Sequence, residues 1–225
     1  MHPQSTTAAI ILAAGSSSRM SNGQHKLLLP LGGRPVLLHV IETALSSQAR
    51  PIILVLGHQA AQIRSLVASS FKEQDLFIRE NPDYREGMST SLRVGLHALM
   101  AIVENNNHQA SNIPESGVNS TVILLGDQPL ITASIIDTLI ATKQTTGKSI
   151  VVPLYNGKRG NPVLFGASLF PELMEVTGDE GGRSVIMRHP QDSINVEQGE
   201  ATASYDIDTW EAYQQVVAEW QRAQK

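Results

Sequence analysis

The sequence predicts an α/β fold: three layers, α/β/α, around a doubly wound, mostly parallel sheet. Three observations carry this. Four short apolar runs lack the alternation of a one-sided sheet, the pattern of strands covered on both faces. Segments with helical spacing lie between them, and strand–helix–strand order in one chain builds right-handed crossovers.

Taken in order, "AAIILAA" at Ala8–Ala14 is the first buried strand. Pro35 suits a first helical turn, and Leu37, Ile41 and Ala44 then share one face. "PIILVLG" at Pro51–Gly57 is the second strand. A helix is expected from about Ser89 to Glu104, with Leu92, Leu96, Leu99 and Val103 inward. The polar, Asn- and Ser-rich stretch Glu104–Ser120 reads as a mobile surface loop without chemistry. "TVILLGD" at Thr121–Asp127 is the third strand, followed by a helix carrying Ile135, Ile136, Leu139 and Ile140. "SIVVPLY" at Ser149–Tyr155 is the fourth, and "NGKRGNPVLFG" gives a turn and a short strand of antiparallel type. The closing helix places Trp210, Tyr213, Val217 and Trp220 near a 3.6-residue period, as core or a packing seam.

At 225 residues the chain is expected to form a single domain, 1–225, with residues 1–7 flexible. A net charge of −4 and the absence of any Lys/Arg run argue against nucleic acid as a partner. Zero cysteines remove disulfides, thiolate metal sites and cysteine nucleophiles. "MHPQSTT" has neither part of a signal peptide and no apolar run is long enough to span a membrane, so a cytoplasmic location without membrane contact is expected.

Ligands of such sheets sit beyond the carboxyl ends of the strands. The first such end opens a Gly- and Ser-rich loop, Gly15 onward, containing Arg19 and ending at Lys26. Backbone amides and two cations suit phosphate, although neither a Walker A loop nor GxGxxG is present. At the second, in "LLGDQPL", Asp127 leaves a buried strand, where a carboxylate needs a positive partner; Mg²⁺ is the usual one in phosphate chemistry. At the third, in "SYDIDTW", Asp206 and Asp208 would share a face of a short strand, or Asp208 or Thr209 would cap the last helix. "YREGMSTSLRVG" reads as a turn into a helix whose open amides at Met88–Ser91 could meet a base or phosphate. "TGDEGGRSV" reads as a Gly-rich helix entry with Arg183 outward. His39, His58 and His97 show no ligand spacing and are taken as structural or solvated.

In joint order, "LAAGSSSRM", "GQHKLLLPLGGRPVL", "GMSTSLRVGL", "GDQPL", "RGNPVLF", "GDEGGR" and "DIDT" span roughly Ile10–Thr209. Together they resemble the molybdenum cofactor nucleotidyltransferases, most closely the cytidylyltransferase branch serving molybdenum hydroxylases. The resemblance implies a nucleoside-diphosphosugar-transferase-like, Rossmann-like fold. It also implies a reaction of CTP with Mo-molybdopterin giving molybdopterin cytosine dinucleotide and pyrophosphate. On it, Leu12, Ala13, Ala14, Gly15, Arg19 and Lys26 hold the nucleotide, with Met88, Ser89, Thr90 and Ser91 facing the base. Asp127 and Asp208 hold Mg²⁺, while Lys26, Arg19 and Asp127 carry the catalysis. Asn161, Pro162, Gly182 and Arg183 line the acceptor side. A transient contact with an apo molybdenum hydroxylase or its chaperone is implied for delivery.

Two departures are visible. Ser21-Asn22 separate Arg19-Met20 from Gly23, lengthening the opening loop by two residues, and Trp210 replaces the proline usual after "DIDT". The guanylyl branch carries a second Gly where Ala14 stands and "GDMP" where this chain has "GDQP", which leans toward cytosine. GMP transfer, nucleotide transfer to another small phosphorylated acceptor, and a non-catalytic carrier of the cofactor remain as alternatives.

Overall fold

Strand β1 (Thr6–Ala13) is buried at every position from Thr7 to Ala13, so both of its faces need a cover. Ala9, Ile11 and Ala13 face one core, and Ala8, Ile10 and Leu12 face the other. The computed structural model describes residues 6–17, 20, 24–71, 76–106, 117–199 and 205–224. A hairpin of β2 (Pro30–Leu31) and β3 (Arg34–Pro35) leads into α1 (Val36–Ser46), β4 (Ile52–Leu56), α2 (Ala60–Ser70), β5 (Leu76–Glu80) and α3 (Met88–Asn106). Then come β6 (Val118–Leu125), α4 (Ala133–Thr146), β7 (Ile150–Tyr155), β8 (Lys158–Arg159) and β9 (Val163–Gly166). The chain closes with α5 (Phe170–Met174), α6 (Arg183–Arg188), β10 (Ser193–Glu197) and α7 (Trp210–Ala223).

The main sheet runs β10-β7-β9-β6-β1-β4-β5, with β8 also paired to β7. The β1, β4, β5 and β6 ladders are parallel, as is β10 on β7, while β9 lies antiparallel between β6 and β7. Helices α1, α2 and α4 contribute buried residues to one face and α3, α5 and α6 to the other, so the molecule is the α/β/α sandwich expected. A third, smaller core joins Met20, Leu29, Leu31 and Val36 to Ile207, Tyr213 and Val216.

The four expected strands and the expected helices are present with ends shifted by one or a few residues. Thr6 and Thr7, expected to be flexible, begin β1, and residues 1–5 lie outside the described residues. The loop expected over residues 104–120 is shorter at both ends: α3 runs to Asn106 and β6 begins at Val118, residues 107–116 lying outside the described residues. The seam of α7 is rotated slightly, with Tyr213 and Val216 buried and Trp210, Val217 and Trp220 partly so. Residues 205–208 form no strand, because they run off the sheet into the N-cap of α7.

Gly95 shows what brings α3 onto the sheet. A Cβ there would lie 2.5 Å from Ile10 Cγ2 and 3.3 Å from Val55 Cγ2, so a residue that is otherwise poor in a helix interior allows close contact with β1 and β4. Gly95→Val should lower unfolding free energy by about 1–3 kcal/mol through overpacking, read from urea denaturation; a variant as stable as the parent would show that α3 can move off the sheet freely.

Candidate functional site

Three parallel neighbours, β6, β1 and β4, end at the same edge of the sheet, and the segments beyond them build one site. Asp127 follows β6 by two residues and is buried. It does not cap the next helix, because Thr132 does so with its Oγ1 accepting from Ile135 N–H. Opposite it, a single 3-10 turn at Lys26–Leu28 presents Lys26. That turn is held by the buried His25, whose Nδ1 accepts from Leu27 N–H at 3.3 Å. Lys26 N–H donates to Ser17 Oγ at 3.1 Å, which ties the far end of the loop back to its start.

Lys26 Nζ lies 2.5 Å from Asp127 Oδ2 and 2.9 Å from Asp208 Oδ1. Burial alone would push this lysine down, but the two carboxylates outweigh it and hold its pKa above the ordinary value. Asp206 enters from the same segment as Asp208 and accepts from Gln128 Nε2 at 2.7 Å. Burial, then the neighbouring charge of Asp127, pushes Asp206 up to about 6.

A cavity of about 600 Å³ opens here, lined by Leu12, Ala13, Ala14, Gly15, Ser16, Ser17, Lys26, Met88, Ser91, Asp127 and Asp208, among others. A second, of about 490 Å³, is lined by Asn161, Gly182 and Arg183 over an apolar floor that includes Leu92, Val152 and Phe165. Leu12, Met88, Leu125 and Asp179 line both, so the two form one continuous cleft. Most residues singled out from sequence therefore come together. Pro162 is not among the lining residues of either cavity, and Arg19 lies outside the described residues.

The amides at the start of α3 are not open, contrary to expectation. Met88 N–H donates to Asp179 Oδ1 at 2.9 Å and Ser89 N–H to Gly178 O at 2.9 Å. Ser89 and Thr90 are buried, and Thr90 Oγ1 accepts from Asn81 Nδ2. Ser91 Oγ accepts from Asn81 as well, yet Ser91 still reaches the cavity wall. Sequence reasoning missed Tyr84, Arg85 and Asp179 in the first cavity and Arg159 in the second. A signal for Tyr84 and Arg85 was present, since they sit in the turn just before the Gly87-Met88 pair that was singled out. Of the histidines, His39 Nε2 contacts Leu31 O at 2.8 Å and His58 stacks on His25 at 5.3 Å, both structural roles.

The donor set suits a hard divalent cation. Asp127 Oδ2 and Asp208 Oδ1 converge on one positive charge, and oxygen pairs of this kind hold Mg²⁺ or Mn²⁺ when substrate phosphates complete the shell. Among the described lining residues of the first cavity, four carboxylates (Asp127, Asp179, Asp206, Asp208) face two cations (Lys26, Arg85). A polyphosphate needs added positive charge to enter such a surface. Among the described residues no group of three or more His, Cys, Asp or Glu forms a metal cage by itself.

Residues 9–193 match the model of the MobA-like NTP transferase domain. The bifunctional protein GlmU of Acinetobacter baylyi is 36% identical over 146 residues, covering 65% of this chain but 28% of its own length. The chain thus spans little more than a quarter of that relative. The purine catabolism protein PucB of Bacillus subtilis is 28% identical over 212 residues, 92% of this chain and 94% of its own. Among solved structures, the Mycobacterium tuberculosis Rv0371c homologue from Mycobacterium sp. strain JC1 superposes with a TM-score of 0.77 at 27% identity, over 96% of this chain and 98% of that one.

Because burial, then electrostatic repulsion from the neighbouring His58 and Lys26, pushes His25 down to about 4 from an ordinary 6.5, acid should act through it. The unfolded chain takes up a proton near 6.5 and the folded one does not, so stability is complete above that value and is lost as pH falls toward 4. His25→Asn, which keeps an acceptor for Leu27 N–H, should show a smaller drop in Tm between pH 7 and 4.5 than the parent. Parallel pH profiles would remove His25 as a source of acid sensitivity.

Proposed function

The chain belongs to the MobA-like NTP transferase family, and from that premise we propose that it transfers CMP from CTP to Mo-molybdopterin, giving molybdopterin cytosine dinucleotide and pyrophosphate. The observation that carries the proposal is the meeting of Lys26, Asp127 and Asp208 at the strand ends, inside a cleft that continues to Asn161 and Arg183. One lobe offers Gly15, Ser16, Ser17 and Lys26 to a triphosphate. The other offers Asn161, Gly182 and Arg183 to the acceptor, with an apolar floor for a flat ring system.

In this reading the terminal phosphate of the acceptor, already an anion at neutral pH, attacks the α-phosphorus of CTP. The new O–P bond forms as the bond to the β-phosphate oxygen breaks, and pyrophosphate leaves with that electron pair. No general base and no covalent enzyme intermediate are needed, so the protein supplies alignment and charge. Lys26, with Arg19 assigned beside it from the sequence, stabilises the charge that grows on the departing pyrophosphate. Asp127 and Asp208 would hold Mg²⁺, which when bound neutralises phosphate charge. Met88 and Ser91 border the base side together with Tyr84, while the buried Ser89 and Thr90 support them. Ala14, on the cavity wall, and Gln128, which follows Asp127, stand where the guanylyl branch carries Gly and Met, and this difference leans the reading toward cytosine. Release of the finished cofactor to an apo molybdenum hydroxylase or its chaperone completes the reading.

Pyrophosphate release by the purified protein with Mg²⁺ and Mo-molybdopterin tests it, with CTP, GTP and ATP at equal concentrations. CTP should be used best. Preference for GTP would overturn the choice of base, and no release with any nucleotide would overturn the reaction. Lys26→Ala should lower kcat about 10²–10³-fold at saturating Mg²⁺, with the fold verified by circular dichroism. A change of less than about threefold would remove Lys26 from the chemistry.

A further inference from the structure

We propose that α7 is a strap that completes the site, and that Trp220, seated over Gly32 in the β2–β3 hairpin, is the positioning residue that latches it. The stretch that matches the family model ends at residue 193, yet Asp206 and Asp208 reach the cavity from the segment just before α7. Asp208 is fixed from both sides. Before it, the fully buried Ile207 donates its N–H to Asp127 O at 3.2 Å. After it, Thr209 caps α7 with its Oγ1 accepting from Ala212 N–H at 3.2 Å.

The helix in turn is held by the hairpin. A Cβ on Gly32 would lie 2.2 Å from the Trp220 ring, so the indole occupies the place where any other residue would project. The φ of +57° at Gly32 suits glycine as well. Trp220 also meets His39 edge-on at 6.2 Å, and His39 is bonded to Leu31 O of the same hairpin. Tyr213 Oη donates to Pro30 O at 2.5 Å.

The hairpin begins two residues after the Lys26–Leu28 turn. One small interface therefore positions both members of the Lys26–Asp208 ion pair, Lys26 through the hairpin and Asp208 through α7. Its core is separate from the two that cover the sheet. A small separate core of this kind opens at lower free energy than the sheet, so the strap can loosen while the sheet stays folded. Neither Trp220 nor Tyr213 lines either cavity, and both act through Asp208 and the Lys26 turn.

The proposal rests on the transferase reading only for its turnover arm. Amide hydrogen exchange of the full chain without substrate is the other arm. Trp220→Ala should speed exchange about tenfold or more at Ile207, Leu28 and Leu29 while β1 and β4 keep their protection. In pyrophosphate release, kcat should fall about tenfold with KM for CTP within about twofold, the mark of misalignment rather than lost binding. Trp220→Phe should restore most of both. Tyr213→Phe, which removes one hydrogen bond and keeps the ring, should show the same local pattern in weaker form, and it decides the question if Trp220→Ala does not fold. Unchanged exchange at those amides, or faster exchange spread equally through β1, overturns the strap. Absence of turnover in the parent protein, with the local exchange pattern present, overturns the reaction and leaves the strap standing.

Discussion

A lysine held between two carboxylates is the constraint around which this molecule is arranged. Lys26, Asp127 and Asp208 are about one hundred and about eighty residues apart in sequence and meet within hydrogen-bond distance. Asp127 is buried just beyond the end of a strand, on the wall of the cleft, and an ionised carboxylate in that position is costly unless a cation compensates. Lys26 supplies that charge, and the same pairing keeps the lysine protonated against its own desolvation. Each group is tolerable in the cleft because the other is there.

Sheet topology brings two of the three, Lys26 and Asp127, to one edge. With β6 and β4 flanking β1 in parallel, three chain segments must turn at one edge, where backbone hydrogen-bonding groups leave the ladder and become available to a ligand. The antiparallel β9 then returns the chain between β6 and β7. Asn161 thereby stands beside the same edge, and the second cavity extends from the first. Two adjoining cavities with a shared wall suit the two substrates of a nucleotidyl transfer, where alignment supplies much of the rate.

How much of this was legible in the sequence depended on how local the cause was. Continuous apolar runs mark β1, β4, β6 and β7 because a strand buried on both faces admits little else. Strand β5 went unread because its residues are mostly half-exposed or exposed, and β10 because it is an edge strand with the same mixed pattern. Lys26 and Asp127 could be picked out because each is a charged residue where the local pattern is apolar or Gly-rich, and Asp208 because it alternates with Asp206 around Ile207. The misreading of the Met88 and Ser89 amides as open has a non-local cause. A helix start looks open in sequence, and only the fold shows that Gly178 and Asp179, some ninety residues later, already accept from its first amides. The aromatic seam of α7 was visible as periodicity, whereas its partner, a glycine in a two-strand hairpin, carries no apolar signal.

The two ion pairs of Lys26 are not equivalent, and the difference bears on how the cleft can change hands from protein to substrate. The carboxylate of Asp127 is 12% exposed and that of Asp208 37%. A pair open to solvent to the extent of the second is worth about 1 kcal/mol or less, whereas breaking the more enclosed one leaves a buried charge without its partner. In the proposed reaction, a triphosphate entering with its own cation would therefore displace the contact to Asp208 at small cost. The flexible stem of Lys26 would then let its ammonium swing from Asp208 toward phosphate oxygens while it keeps Asp127 and the backbone N–H to Ser17 Oγ holds its base in place. In the proposed reaction the lysine would serve two states with one side chain: it neutralises the carboxylates of the free protein, and it would become a phosphate ligand when the substrate brings replacement charge.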